Sequence, residues 1–142
     1  MSNPRDTVEF DGQGGVYMTF IIDNSTITYS ATTAYGSAQV GKAVALSAAN
    51  TIELVGDGEE VVGRLDSVDA NLKARVQIAG AMKLPGGDGA SLTLGKKIVG
   101  DLGASSAEGY IREVATGTAA ELGVARGMIL DAGTTTAVEV YL

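Results

Sequence analysis

The sequence predicts an all-β fold: a small β-barrel-like body with one short helix and an extended N-terminal arm. Three observations carry that expectation. Short β-branched segments recur roughly every 8–12 residues, the spacing of small sandwiches and barrels. Glycine supplies 20 of the 142 residues, enough for many tight turns. Apolar residues make up 45% of the chain but aromatics only 5%, and Trp is absent, so the core must be built from Val, Ile, Leu and Ala.

The elements follow in order. Residues 1–15 are polar and end in Gly12-Gln13-Gly14-Gly15, which predicts an arm with too little apolar surface to order itself. Val16-Tyr17-Met18-Thr19-Phe20-Ile21-Ile22 is β-branched and aromatic and predicts a strand. A short strand over 26–29 lies between Ser- and Thr-rich loops, and strands are expected at 42–46 and 51–54. Gly56-Asp57-Gly58 reads as a turn, leading into a strand over 61–68. Lys73-Ala74-Arg75-Val76-Gln77-Ile78-Ala79 alternates strictly and predicts a half-buried strand with Ala74, Val76 and Ile78 inward. Pro85-Gly86-Gly87-Asp88-Gly89 must be a loop. Residues 91–94 alternate again, placing Leu92 and Leu94 inward, and strands follow over 97–99 and 110–115. Thr118-Ala119-Ala120-Glu121-Leu122-Gly123 fits a short helix, with Thr118 as N-cap and Glu121 as capping-box partner. Strands over 128–131 and 136–142 close the chain, with Val138, Val140 and Leu142 on one face.

The same residues bound the chemistry. With no His and no Cys, the commonest general base, thiol nucleophiles and most zinc and transition-metal sites are excluded. No cofactor is expected. The stretch from Gly89 to Lys97 looks superficially like a phosphate-binding loop. However, five residues separate Gly89 and Gly95 rather than four, and Lys97 stands where magnesium needs Ser or Thr. Asp66 and Asp69 lack the ligand spacing of a calcium loop and read as solvated turn residues. Glu59-Glu60 and Lys96-Lys97 read as exposed charges at strand ends. A net charge of −7 argues against a nucleic-acid partner. No apolar run is long enough to span a bilayer, and the polar start predicts a protein made in a cytoplasm without a signal peptide.

Several segments resemble a family. They are Gly41-Lys42-Ala43-Val44-Ala45-Leu46, Asp57-Gly58-Glu59 leading into Val62-Gly63-Arg64-Leu65, and Val76-Gln77-Ile78-Ala79-Gly80. Leu94-Gly95-Lys96-Lys97-Ile98-Val99, Gly109-Tyr110-Ile111 and Gly127-Met128-Ile129-Leu130 complete the set. Residues 36–142 resemble the small decoration (cement) proteins of phage heads. The resemblance implies a β-tulip body and a homotrimer at three-fold and quasi-three-fold positions of an expanded capsid. It implies a location on the outer surface of the virion, the major capsid protein as partner, and neither catalysis nor a small-molecule substrate. It does not extend to the first 35 residues.

Two domains are therefore expected: residues 1–22 as arm and capsid-binding strand, and residues 23–142 as the barrel-like body. The candidate capsid-binding residues are Thr7, Val8, Glu9 and Phe10 in the arm, and Val16, Tyr17, Met18, Phe20 and Ile22 in the strand. Both segments suit strand addition to an exposed sheet edge. For Val16–Ile22 the sequence leaves a second option open, that it is the body's own first strand. A carbohydrate- or surface-binding β-module is the alternative function, and a carboxylate-dependent hydrolase a more distant one.

Overall fold

The computed structural model describes residues 15–115, 119–134 and 137–142. The chain is mostly β with one short helix. Among the described residues there are ten strands: β1 (Val16–Ile22), β2 (Ala43–Ala48), β3 (Thr51–Leu54), β4 (Gly63–Val68), β5 (Lys73–Ala79), β6 (Ala81–Leu84), β7 (Ile98–Asp101), β8 (Tyr110–Glu113), β9 (Met128–Thr134) and β10 (Ala137–Tyr141). The helix, α1, spans Ala119–Val124. Strands β1, β3, β2, β4 and β5 close into a barrel in that order; β6, β10 and β9 form a second sheet, and β7 and β8 pair alone.

Local chemistry explains the hairpins. Asn50, at φ 55°, turns β2 back along β3, a conformation Asn tolerates better than most residues. Asp69 organises the β4–β5 turn by accepting the N–H groups of Asn71 at 2.9 Å and Lys73 at 3.1 Å. Gly100 in β7 meets the 56–59 turn so closely that a Cβ there would lie 2.1 Å from the Gly56 oxygen. Hydrogen bonds from Gly58 N to Gly100 O and from Gly100 N to Glu59 O lock that turn onto β7.

Two cores result. The barrel encloses Phe20, Ile22, Ile27, Val44, Ile52, Leu65, Ala74 and Val76. The second core, between barrel and outer sheets, holds Ala43, Ala45, Val55, Met82, Leu84, Ile98, Ile111, Ile129 and Val140. Strand β2 serves both, with Val44 facing the barrel and Ala43 and Ala45 facing the other layer. Burial on both faces is why 43–45 reads as a continuous apolar run.

The structure corrects several expectations. Val16–Ile22 is a barrel strand, so the body begins at β1 and not at residue 23. Residues 26–29 form no strand; instead the Thr26 hydroxyl accepts the N–H of Leu54 at 3.0 Å. Residues 91–94 form no strand, and Leu94 is 64% exposed while Leu92 packs against the second core. Strand β6 was not expected. In β5, Ala74 and Val76 point inward and Ile78, partly buried, packs against the same core; the unexpected residue is Gln77, which is buried as well. The β1–β5 register slips there, from Tyr17 opposite Gln77 to Val16 opposite Ala79. Gln77 Nε2 donates to the oxygens of Ala79 and Ala81, which satisfies the buried amide and pins the β5–β6 corner. Glu121 in α1 bonds to Arg112 and to the N–H of Ala115, while the N-cap position Thr118 lies outside the described residues.

Candidate functional site

The candidate surface is the first half of β1. Strand β1 runs antiparallel to β5 along its whole length, from Val16 opposite Ala79 to Ile21 opposite Lys73. Its other neighbour, β3, reaches only Ile21 and Ile22. The β2–β3 turn lies at that point, where Asn50 O accepts the Ile21 N–H at 2.8 Å. Among the described residues, no strand lies beside Val16–Phe20 on that side. The barrel wall therefore closes at one end of β1 and opens into a free strand edge at the other.

Backbone direction decides which groups that edge presents. Ile21 N donates towards β3, and Ile22 N donates the other way, to Leu72 O at 3.0 Å. Successive residues alternate, so Tyr17 and Thr19 turn their N–H and C=O groups to the open edge. Side chains alternate as well. Met18 lies opposite Val76 and shares the inward face with Phe20, which lies opposite Ala74. Phe20 and Ile22 are buried in the barrel, yet Met18 is 49% exposed and Val16 52% exposed. Strand β5 covers Met18 from one side and nothing described covers it from the other. On the outer face the Arg75 guanidinium lies over the Tyr17 ring, 4.0 Å from its centre.

Of the predicted binding residues, Val16, Tyr17 and Met18 thus sit together at the open edge. Phe20 and Ile22 do not: both are core side chains of the closed half and cannot meet a partner without opening the barrel. Thr7, Val8, Glu9 and Phe10 lie outside the described residues. Thr19, not singled out in the sequence, presents only backbone groups at this edge, and that depends on the length of a neighbouring strand rather than on its own residue type.

A second polar centre surrounds Arg112 on β8. Its guanidinium donates to Asp57 Oδ1 at 3.1 Å and to the Glu121 carboxylate, with Asp101 Oδ1 3.8 Å away. Bonding to Arg112 holds the Glu121 carboxyl below the usual carboxylate range, whereas burial pushes Asp101 upward. No residue of α1 is buried, and the ion pair of Glu121 with Arg112 ties the helix to β8. Arg126 Nη1 donates to the oxygens of Val61 and Val62, just past the helix end. One guanidinium thus faces carboxylates from three elements. Among the described residues, no group of three or more Asp or Glu could hold a metal ion. Asp66 lies 3.9 Å from both Arg64 Nη1 and Arg75 Nε, and Asp69 serves its turn.

No protein-family model, no curated protein and no solved structure matches this chain.

Proposed function

We propose that this chain is a structural virion protein without catalytic activity, a phage head decoration (cement) protein. In this reading it binds the major capsid protein on the outer capsid surface as a homotrimer, at three-fold and quasi-three-fold positions, and stabilises the expanded shell. The observation that carries the reading is the open edge of β1 beside exposed Val16 and Met18. An extended capsid segment added there would accept and donate backbone hydrogen bonds at Tyr17 and Thr19 and cover the two apolar side chains. The arm residues Thr7, Val8, Glu9 and Phe10 would extend the same contact. Three linked protomers turn three modest contacts into high avidity when the geometry matches.

The test is co-sedimentation of the purified chain with expanded, undecorated heads. Binding is expected for the native chain and lost for Met18→Asp, which places a charge where the added strand must pack. Failure of the native chain to bind heads would overturn the reading. Exposed Tyr35 (70%) and Tyr141 (53%) favour one other function, a glycan-binding module, since exposed aromatic faces stack on sugars. A glycan array read with Tyr35→Ala and Tyr141→Ala separates the two.

A further inference from the structure

A groove of about 400 Å³ lies between α1 and the end of β2. Leu46, Val62, Ala120 and Val124 form its apolar walls, and the exposed Glu59 and Glu60 line it as well. Leu46 is 56% exposed, so this wall faces solvent. Among the described residues, no Lys or Arg lines the groove and Glu60 has no ion-pair partner. The negative field extends to β3, where the Glu53 carboxyl is raised by burial and then by the charge of Glu59.

A matching feature stands elsewhere on the same chain. Residues 93–97 form an exposed turn that carries Leu94, 64% exposed, with Lys96 and Lys97 beside it. A single exposed leucine is ordinary on a protein surface. This one sits on a turn that backbone bonds hold in place. Lys96 N donates to Thr93 O at 3.2 Å and Gly95 N to Ile129 O at 2.9 Å. The Lys96 and Lys97 oxygens accept the N–H groups of Ile129 and Val114. Neither lysine side chain has an ion-pair partner among the described residues. An apolar knob already fixed by its backbone loses little freedom when it docks.

We infer that Leu94 of one copy docks in the groove of the next, with Lys96 and Lys97 facing Glu59 and Glu60. The apolar contact supplies affinity, and the charges set partner and orientation. A second copy is the occupant because knob and groove complement each other twice, apolar to apolar and basic to acidic. The two patches share no residue, so the contact is head-to-tail. It leaves one knob and one groove unfilled until a ring closes. The inference does not rest on the capsid reading, since the contact forms between copies in solution. Within that reading, it is the contact that closes the homotrimer.

The experiment is sedimentation velocity of the whole chain, without heads, over a concentration series at low and high salt. The native chain is expected to associate, and more weakly at high salt. Leu94→Asp and Leu46→Asp should each be monomeric with unchanged circular dichroism, because both positions are exposed. Mixed together, they should form a heterodimer and nothing larger, because each keeps one intact half of the contact. Lys96→Glu should weaken association by about tenfold, and Glu60→Lys in the same chain should restore most of the loss. That paired reversal decides the matter if Leu46→Asp does not fold. Association that stops at a trimer supports a closed ring. Open-ended growth supports the contact but removes the homotrimer from the capsid reading. A native chain that stays monomeric up to about 0.5 mM overturns the inference, as does association that survives Leu94→Asp. The groove is then left to a different protein or to none.

Discussion

The two halves of β1 carry the same kind of sequence and meet different fates. Phe20 and Ile22 are buried between β5 and the barrel interior, at 8% and 4% exposure, while Met18 on the same face stays half exposed. Composition does not separate them, since all are large apolar residues of one alternating strand. The difference is the distance to a neighbour: β3 pairs with Ile21 and Ile22, directly next to Phe20, and reaches no nearer to Met18. Whether an apolar strand residue is buried or exposed is decided here by the length of a different strand.

A proline scan breaks the comparison most sharply. Phe20 is the ladder partner of Ala74, and its N–H points towards β5. Phe20→Pro removes that donor and the ring together, and is expected to abolish the cooperative thermal transition. Thr19 turns its N–H to the open edge, so Thr19→Pro should cost only about 1 kcal/mol in chemical denaturation, through strain in φ. It should still abolish head binding, because the added strand loses its donor. A fully unfolded Thr19→Pro variant would show that this edge is covered after all.

Large-to-small substitutions test the same division through side chains. Phe20→Ala should cost about 3–5 kcal/mol by urea denaturation, since the barrel cannot collapse around the space left. Met18→Ala should cost no more than about 1 kcal/mol, because the side chain gives up little buried surface. A loss at Met18 equal to that at Phe20 would place Met18 in the core. Arg112→Met falls between them. It should leave the barrel folded and speed amide exchange at Ala125, whose N–H donates to Glu121 O at 2.8 Å.

These contrasts also show what the sequence could reveal. Val16–Ile22 and Thr51–Leu54 are legible to the residue as β-branched runs that end at turn residues, and Lys73–Ala79 by its strict alternation. The failures have a common cause, which is that a strand needs a partner. Residues 91–94 alternate well, yet among the described residues they join no ladder, although the Ser91 oxygen accepts the N–H of Glu113 in β8 at 3.0 Å. β6 alternates poorly, yet β10 pairs with it from Val138 opposite Leu84 to Tyr141 opposite Ala81. The 26–29 run spends its β-branched Thr26 on a side-chain hydrogen bond to Leu54. The sequence marks Val16–Ile22 as a strand; its division beyond Phe20 into a buried and an exposed half is not legible there, because no local signal reports where β3 ends.

The smallest effect sharpens the comparison through pH. Two carboxylates flank the closed half of β1. Glu53 on β3 has its carboxyl raised by burial, and then by the charges of Glu59, Asp23 and Glu108. Asp23, just past the strand, has its carboxyl lowered by the Ser25 N–H at 3.0 Å and the Ser25 hydroxyl. The signs are opposite. A carboxyl raised on folding disfavours the folded state while ionised, so protonating Glu53 should tighten the closed half as pH falls towards the ordinary carboxylate range. A carboxyl lowered on folding contributes stability above its unfolded value, so that of Asp23 is lost as pH falls below about 4. Hydrogen exchange at Ile21 and Asp23, corrected for intrinsic rates, should therefore slow slightly and then quicken. Both amides donate to β3 or its turn, at 2.8 Å each. Tyr17 and Thr19, whose amides face the open edge, should exchange at rates set by solvent alone across that range. A shared pH profile for all four amides would mean that the two halves of β1 open and close as one unit, and that the edge is not independently available to a partner.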